Sequence, residues 1–189
     1  MDSMAGSKDI LKTILAMRVV FRVDKNTVLK EVGRSTAYFS SRKKEKEDDG
    51  AYEKMSTTDS DKDLLEQYWK AACSAATEQL VHFARSIENN VEGDTPYYEV
   101  VMEMASQYDM NLNKSIEDSL QNFFINLITS KWMNVVSTED AQVFAAEAIG
   151  YMKDVENKMY FRKRPERTTN KREEEDELLP SIHVERSDP

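Results

Sequence analysis

The chain has 189 residues, and its 35 acidic and 26 basic side chains leave a net charge of -9 and a pI near 4.9. That balance excludes the broadly basic surface of a general nucleic-acid binder, while a local basic patch stays open. The single cysteine, Cys73, excludes an internal disulfide and fits a reducing compartment.

The length suits one domain with a true core, or one domain with long tails. At 40% hydrophobic and 32% charged the chain is globular on average, but its mean hydropathy of -0.67 implies that part of it stays out of any core. No apolar run approaches the ~20 residues of a membrane span. The start, Met1-Asp2-Ser3-Met4-Ala5-Gly6, has no signal-peptide pattern, so the expectation is a protein that is not exported. No solenoid-length repeat is present.

Residues 1–9 are small and polar. The next stretch is mixed. Ile10, Leu11, Ile14, Leu15 and Met17 suit a helix, whereas Arg18-Val19-Val20-Phe21-Arg22-Val23 alternates like a strand. Residues 1–23 therefore read either as an ordinary first helix or as an arm or strand that pairs elsewhere, another subunit included. Residues 24–39 form a short helix capped by Asp24 or Asn26, with Val28, Leu29, Val32 and Tyr38 as its apolar positions. Thr27 through Tyr38, with Gly33 in the middle, also carries a weak helix-turn-helix signal, against which an ordinary capped surface helix is the better reading. Residues 40–56 break the pattern. The run Arg42-Lys43-Lys44-Glu45-Lys46-Glu47-Asp48-Asp49-Gly50 has no apolar residue, as expected of a solvated, mobile loop.

Ser60-Asp61-Lys62-Asp63 resembles a capping box, and Leu64, Leu65, Tyr68, Trp69, Ala72, Ala76, Leu80, Phe83 and Ile87 keep a helical period to about Asn89. His82 beside this face reads as structural. Cys73 sits among alanines, which suits a close helix crossing better than a reactive thiol. After a turn cluster at Gly93-Asp94-Thr95-Pro96, residues 97–104 alternate as the best strand in the chain. A lone strand cannot satisfy its backbone, so it needs a partner: the stretch 18–23, the tail near 160–164, or a neighbouring subunit.

The longest apolar segment is Asn113–Val136, which the periodicity predicts as one buried helix. Ile116, Leu120, Phe123, Phe124, Leu127, Ile128, Trp132 and Val135 fall on one broad face, with Asn113 as cap. Ser137-Thr138-Glu139-Asp140 reads as another capping box opening the last long helix, antiparallel to the one before it. From Phe161 the pattern collapses into a basic block, an acidic block at Glu173-Glu174-Glu175-Asp176-Glu177, and a small apolar island, Leu178-Leu179-Pro180-Ser181-Ile182-His183-Val184. This is either a plain disordered tail or an arm that orders on a partner.

The fold class expected is mainly α: three long helices packed as a small bundle, a minor β element near 97–104, and extended charged termini. The helical domain spans 24–160, flanked by the arm 1–23 and the tail 161–189. No GxGxxG, P-loop, HExxH, GxSxG or CxxC occurs, and two histidines and one cysteine leave little for a metal. No enzyme activity, cofactor or metal is expected. The residues expected to meet subunits or partners are Tyr98, Val100 and Met102 on the strand, Arg162 and Arg164 in the tail, and Leu178, Leu179 and Ile182 in its island.

Several phrases carry a family resemblance. They are Val28-Leu29-Lys30-Glu31-Val32 leading to Ser35-Thr36-Ala37-Tyr38, then Asp49-Gly50-Ala51-Tyr52, then Thr57-Thr58-Asp59-Ser60-Asp61 leading to Leu64-Leu65-Glu66-Gln67-Tyr68-Trp69. Tyr98-Glu99-Val100-Val101-Met102-Glu103-Met104 and Lys131-Trp132 fit the same layout. In these, residues 28–164 resemble small virion structural proteins of phages and prophages from Bacteroides-type hosts, as in crAss-like phages, with the layout of head–tail connector or neck proteins. The resemblance implies a non-enzymatic, mostly helical subunit made in the bacterial host cytoplasm and located in the virion neck or tail. Its implied partners are the portal, neighbouring neck or tail proteins and its own copies in a ring. DNA would pass nearby without specific binding, and no membrane is involved. A tail-completion protein and a small helix-turn-helix regulator are the rival expectations.

Overall fold

The structure is a computed structural model that describes residues 17–44, 56–88, 97–105 and 107–162. In chain order it has strand β1 (Met17–Asp24), helix α1 (Lys25–Lys44), helix α2 (Lys62–Leu80), strand β2 (Ala84–Glu88), strand β3 (Tyr97–Met104), helix α3 (Asn113–Val136) and helix α4 (Thr138–Met159). Short 3-10 turns at Asp59–Asp61 and Met110–Leu112 lead into α2 and α3. Among the described residues the architecture is thus four long helices and a three-stranded antiparallel sheet, mainly α as expected, and not a bundle of three long helices with a minor β element.

The sheet order is β1-β3-β2, with both pairings antiparallel. Strand β3 is central because both of its edges are satisfied within the chain. Met17 pairs with Met104 and Asp24 with Tyr97 on one side, and Ala84 with Met102 and Ile87 with Val100 on the other. The alternation seen in the sequence is realised: Val19, Phe21 and Val23 of β1, and Tyr98, Val100, Met102 and Met104 of β3, all face the core. The opposite face carries cross-strand charge pairs. Arg22 bridges Glu99 at 2.6 Å and lies over the Tyr97 ring at 4.1 Å, and Arg85 bridges Glu103.

Strand β2 replaces what the sequence reads as the end of a long helix. Helix α2 stops at Leu80, Phe83 N–H turns back to the Leu80 carbonyl at 2.9 Å, and the chain joins the sheet at Ala84. Helical spacing of Phe83 and Ile87 is compatible with either state, and the unpaired edge of β3 decides it.

Helix α1 is longer than the sequence suggests. Asp24 Oδ1 accepts from the Thr27 N–H at 2.7 Å and caps it. The helix then continues through Ser40 and Ser41 to Lys44, where a loop was expected from residue 40, and residues 45–55 of that expected loop lie outside the described residues. The Ser40 hydroxyl is fully buried and donates to the Thr36 carbonyl, and Phe39 meets Phe144 of α4 edge to face at 5.7 Å. Gly33 lies inside this uninterrupted helix. A Cβ there would sit 3.4 Å from Thr57 Oγ1, the edge of ordinary van der Waals contact, and the backbone makes no turn at this position. The two-helix geometry of a helix-turn-helix is therefore not formed by Thr27 through Tyr38.

Helix α3 is the centre of the molecule. Its buried residues run all round its circumference, from Ile116, Leu120 and Phe124 to Thr129, Trp132 and Met133. Helices α1, α2 and α4 and strand β1 all pack on it. That exceeds the single broad face expected, because the sheet and α1 cover the sides that a three-helix packing leaves open. Two expected caps shift. The capping box forms at Thr58 and Asp61, two residues before the expected start, with Thr58 N–H donating to Asp61 Oδ2 at 2.8 Å. Asp109 caps the turn before α3 by accepting from Asn111 N–H at 3.0 Å, while Asn113 instead accepts from the Tyr108 hydroxyl at 2.7 Å. Ser137 is the cap residue of α4, but its side chain makes no capping bond.

Among the described residues no helix is long and apolar enough to cross a membrane.

Candidate functional site

Among the described residues no three or more His, Cys, Asp or Glu gather as a metal site would need. Cys73 is buried, and that burial pushes its thiol up to about 12, so it stays protonated and poorly nucleophilic. Burial likewise pushes the Tyr98 phenol up to about 12, and its hydroxyl meets Thr77 Oγ1 at 3.3 Å, tying the sheet to α2. His82 is exposed in the turn after α2.

One polar cluster joins a hydroxyl, a carboxylate and an ammonium. Ser119 of α3 donates to Asp154 of α4 at 2.7 Å or to the Ser115 carbonyl at 2.8 Å. Lys158 reaches Ser119 Oγ at 3.0 Å, the Ser115 carbonyl at 3.4 Å, and Asp154. Burial alone would raise the Asp154 carboxyl, but hydrogen bonds from Lys158 and Ser119 outweigh it and hold the group below its ordinary value. An ammonium paired with a carboxylate cannot take a proton from Ser119, so the cluster is an interhelical clamp and not a nucleophile with its base. A groove of about 310 Å³ lies between α2, α3 and α4, floored by Ala75, Phe123, Leu127 and Met152, with Glu78 and Lys153 on its rim.

The expected contact residues divide into three groups. Tyr98, Val100 and Met102 are exposed by 1% or less. They cannot meet another subunit, because the strand they belong to finds both its partners, 17–24 and 84–88, inside the chain and turns them into the core. Arg162 is exposed and forms an isolated antiparallel bridge with Tyr108, so the chain beyond α4 meets the segment before α3 and not β3. Arg164, Leu178, Leu179 and Ile182 lie outside the described residues.

A surface the sequence reading missed lies at one pole of the molecule. Met17, where β1 begins, pairs with Met104, the Tyr108 N–H returns to the Ala105 carbonyl at 2.9 Å, and Tyr108 bridges Arg162. The chain therefore enters the described fold and leaves it on the same side. Phe83, after α2, meets Tyr160, after α4, edge to face at 5.4 Å. In the connections that make these contacts, Val81, Met110, Tyr160 and Phe161 are 52%, 57%, 70% and 61% exposed, each a large apolar side chain open to solvent. The signal available in the sequence was the pair Tyr160-Phe161 directly past the last helical turn.

No family model matches this chain, and no curated protein or solved structure matches it.

Proposed function

We propose that this protein is a non-enzymatic structural subunit of a phage virion, a head–tail connector or neck protein that assembles in a ring below the portal. The resemblance of residues 28–164 to such proteins names the class. The single observation that supports it in the structure is the pole, where the chain enters at Met17 and leaves at Arg162 beside exposed Val81, Met110, Tyr160 and Phe161.

A ring subunit needs a rigid body and segments that reach unlike surfaces on its neighbours. Here α3, enclosed by three helices and the sheet, gives the rigidity. Residues 1–16 and 163–189 both start from the same pole, so either could bridge to the next subunit or to the portal. Strands β1 and β2 are both sheet edges and offer a second route to a neighbour.

The test is the mass of the protein in solution by light scattering, alone and then mixed with the portal protein of the same particle. A discrete ring, or a monomer that joins the portal in fixed stoichiometry, is the expected result. A stable dimer that ignores the portal and shifts duplex DNA would overturn the reading.

A further inference from the structure

We propose that copies of this chain join head to tail, with the exposed stripe Lys30, Arg34 and Tyr38 of α1 on one copy lying in the groove between α2, α3 and α4 of the next. The inference rests on the ring reading and names the contact that builds the ring.

The groove exists because α2 and α4 each pack on α3 but hardly meet each other. Its floor is apolar, and Ile149 stands on its α4 side, more than half exposed. At about 310 Å³ it sits at the lower end of the ~300–1,000 Å³ of ligand sites, room for an inserted side chain or two. Glu78 on the α2 rim, and Glu156 with Lys153 on the α4 rim, form no ion pair among the described residues. Two carboxylates and one ammonium around an apolar floor suit an occupant with an apolar body and flanking cations.

Helix α1 presents that chemistry. Lys30, Arg34 and Tyr38 follow one another at steps of four, so they line one face of the helix, and all three are exposed. Among the exposed large apolar side chains of the described helices, Tyr38 is the one with two cations on its own stripe. Glu31, ion-paired with Arg34 at 2.6 Å, adds one acid beside them. The signs therefore match group for group: two cations and one carboxylate on the stripe, two carboxylates and one ammonium on the rim. Tyrosine and arginine are also the side chains that carry most energy at interface centres, the ring filling an apolar slot while its hydroxyl stays wet. Stripe and groove are different surfaces of the same chain, so the contact is heterologous. Each added copy leaves one stripe and one groove open, and the series ends only when rotation closes it into a ring.

The experiment mixes two full-length variants, each altered at an exposed residue and so expected to fold as the parent does. Tyr38→Ala spoils the stripe and keeps the groove, whereas Ile149→Lys sets a cation in the groove and keeps the stripe. Sedimentation velocity gives the masses. The parent is expected to associate as concentration rises, and each variant alone at least roughly tenfold more weakly. An equimolar mixture restores one intact contact and stops at a dimer with one copy of each. Glu78→Lys, on the opposite rim, must behave as Ile149→Lys does. A parent that is monomeric up to ~1 mM, variants that associate like the parent, a mixture that stays monomeric, or a mixture that grows past a dimer each overturns the proposal. The portal keeps the two readings apart. A parent that joins the portal, with variants that associate as it does, retains the connector and loses this contact.

Discussion

Lys158 of α4 donates to the Ser119 hydroxyl of α3 at 3.0 Å, and this contact fixes the register of the two helices that share the largest interface. Only Ser137 separates α3 from α4, so the clamp, more than 30 residues apart in sequence at Ser119 and Asp154, sets how the hairpin closes at its open end. Lys158→Met is expected to destabilise the chain by about 1 kcal/mol, a value kept low because Asp154 is nearly half exposed. The pH dependence follows from the carboxylate. Asp154 is held below its ordinary 3.8, so its contribution is fully present above that pH and is lost as pH falls through the lower, folded value. Urea denaturation across that acid range should show a shallower loss of stability in Lys158→Met than in the parent.

Met102 separates a core strand from an interface strand. It is fully buried beneath β3 and its neighbours on the same face, Val100 and Tyr98, are equally enclosed. Met102→Ala is expected to cost about 2–5 kcal/mol in the isolated chain, read as a lower urea midpoint with an unchanged slope. A normal midpoint accompanied by weaker self-association would return the strand to the role of a subunit contact.

How far the sequence reveals this fold depends on where the deciding force lies. The central helix Asn113–Val136 was legible to the residue, because its apolar side chains and its turn residues are local signals. The strand 97–104 was legible as alternation, whereas 18–23 suited a strand or the end of a first helix equally, and its pairing with 97–104, the first of three candidate partners, is what settles it. Strand β2 was hidden, since Phe83 and Ile87 also suit a helix and only the free edge of β3 selects the extended state. The end of α1 was hidden by Ser40 and Ser41, whose hydroxyls bond back to carbonyls of their own helix and so fit where their composition suggests a loop. The apolar pole was hidden for a different reason. Phe83, Tyr108, Tyr160 and Arg162 belong to separate connections, and only the tertiary fold makes the Phe83–Tyr160 and Tyr108–Arg162 contacts.

Cys73 offers a probe of global opening. It lies on the buried face of α2, within the core, and its burial raises the thiol to about 12. Alkylation of the native protein at neutral pH should be far slower than that of a free thiol, and should accelerate with urea in step with the loss of far-UV circular dichroism. Rapid labelling in the native state would mean that α2 detaches without global unfolding.

Gly150 is the residue that intramolecular packing least explains. It sits in the interior of α4, exposed, and an added Cβ would meet nothing within 4 Å. Glycine in a helix interior costs roughly 0.5–1 kcal/mol relative to alanine, so Gly150→Ala is expected to stabilise the isolated chain by that amount. For a chain of this length that is about 1–4 °C in Tm. Scanning calorimetry of the two proteins measures it directly. The same substitution separates two uses of the exposed face that runs through Val143, Ala146 and Gly150. If the face stays in solvent throughout, Gly150→Ala leaves light-scattering mass unchanged in the presence of the portal. If a neighbouring subunit's backbone approaches it closely, the added methyl stabilises the monomer while lowering the yield of the assembled ring. That opposition of signs is what a glycine retained for close approach predicts.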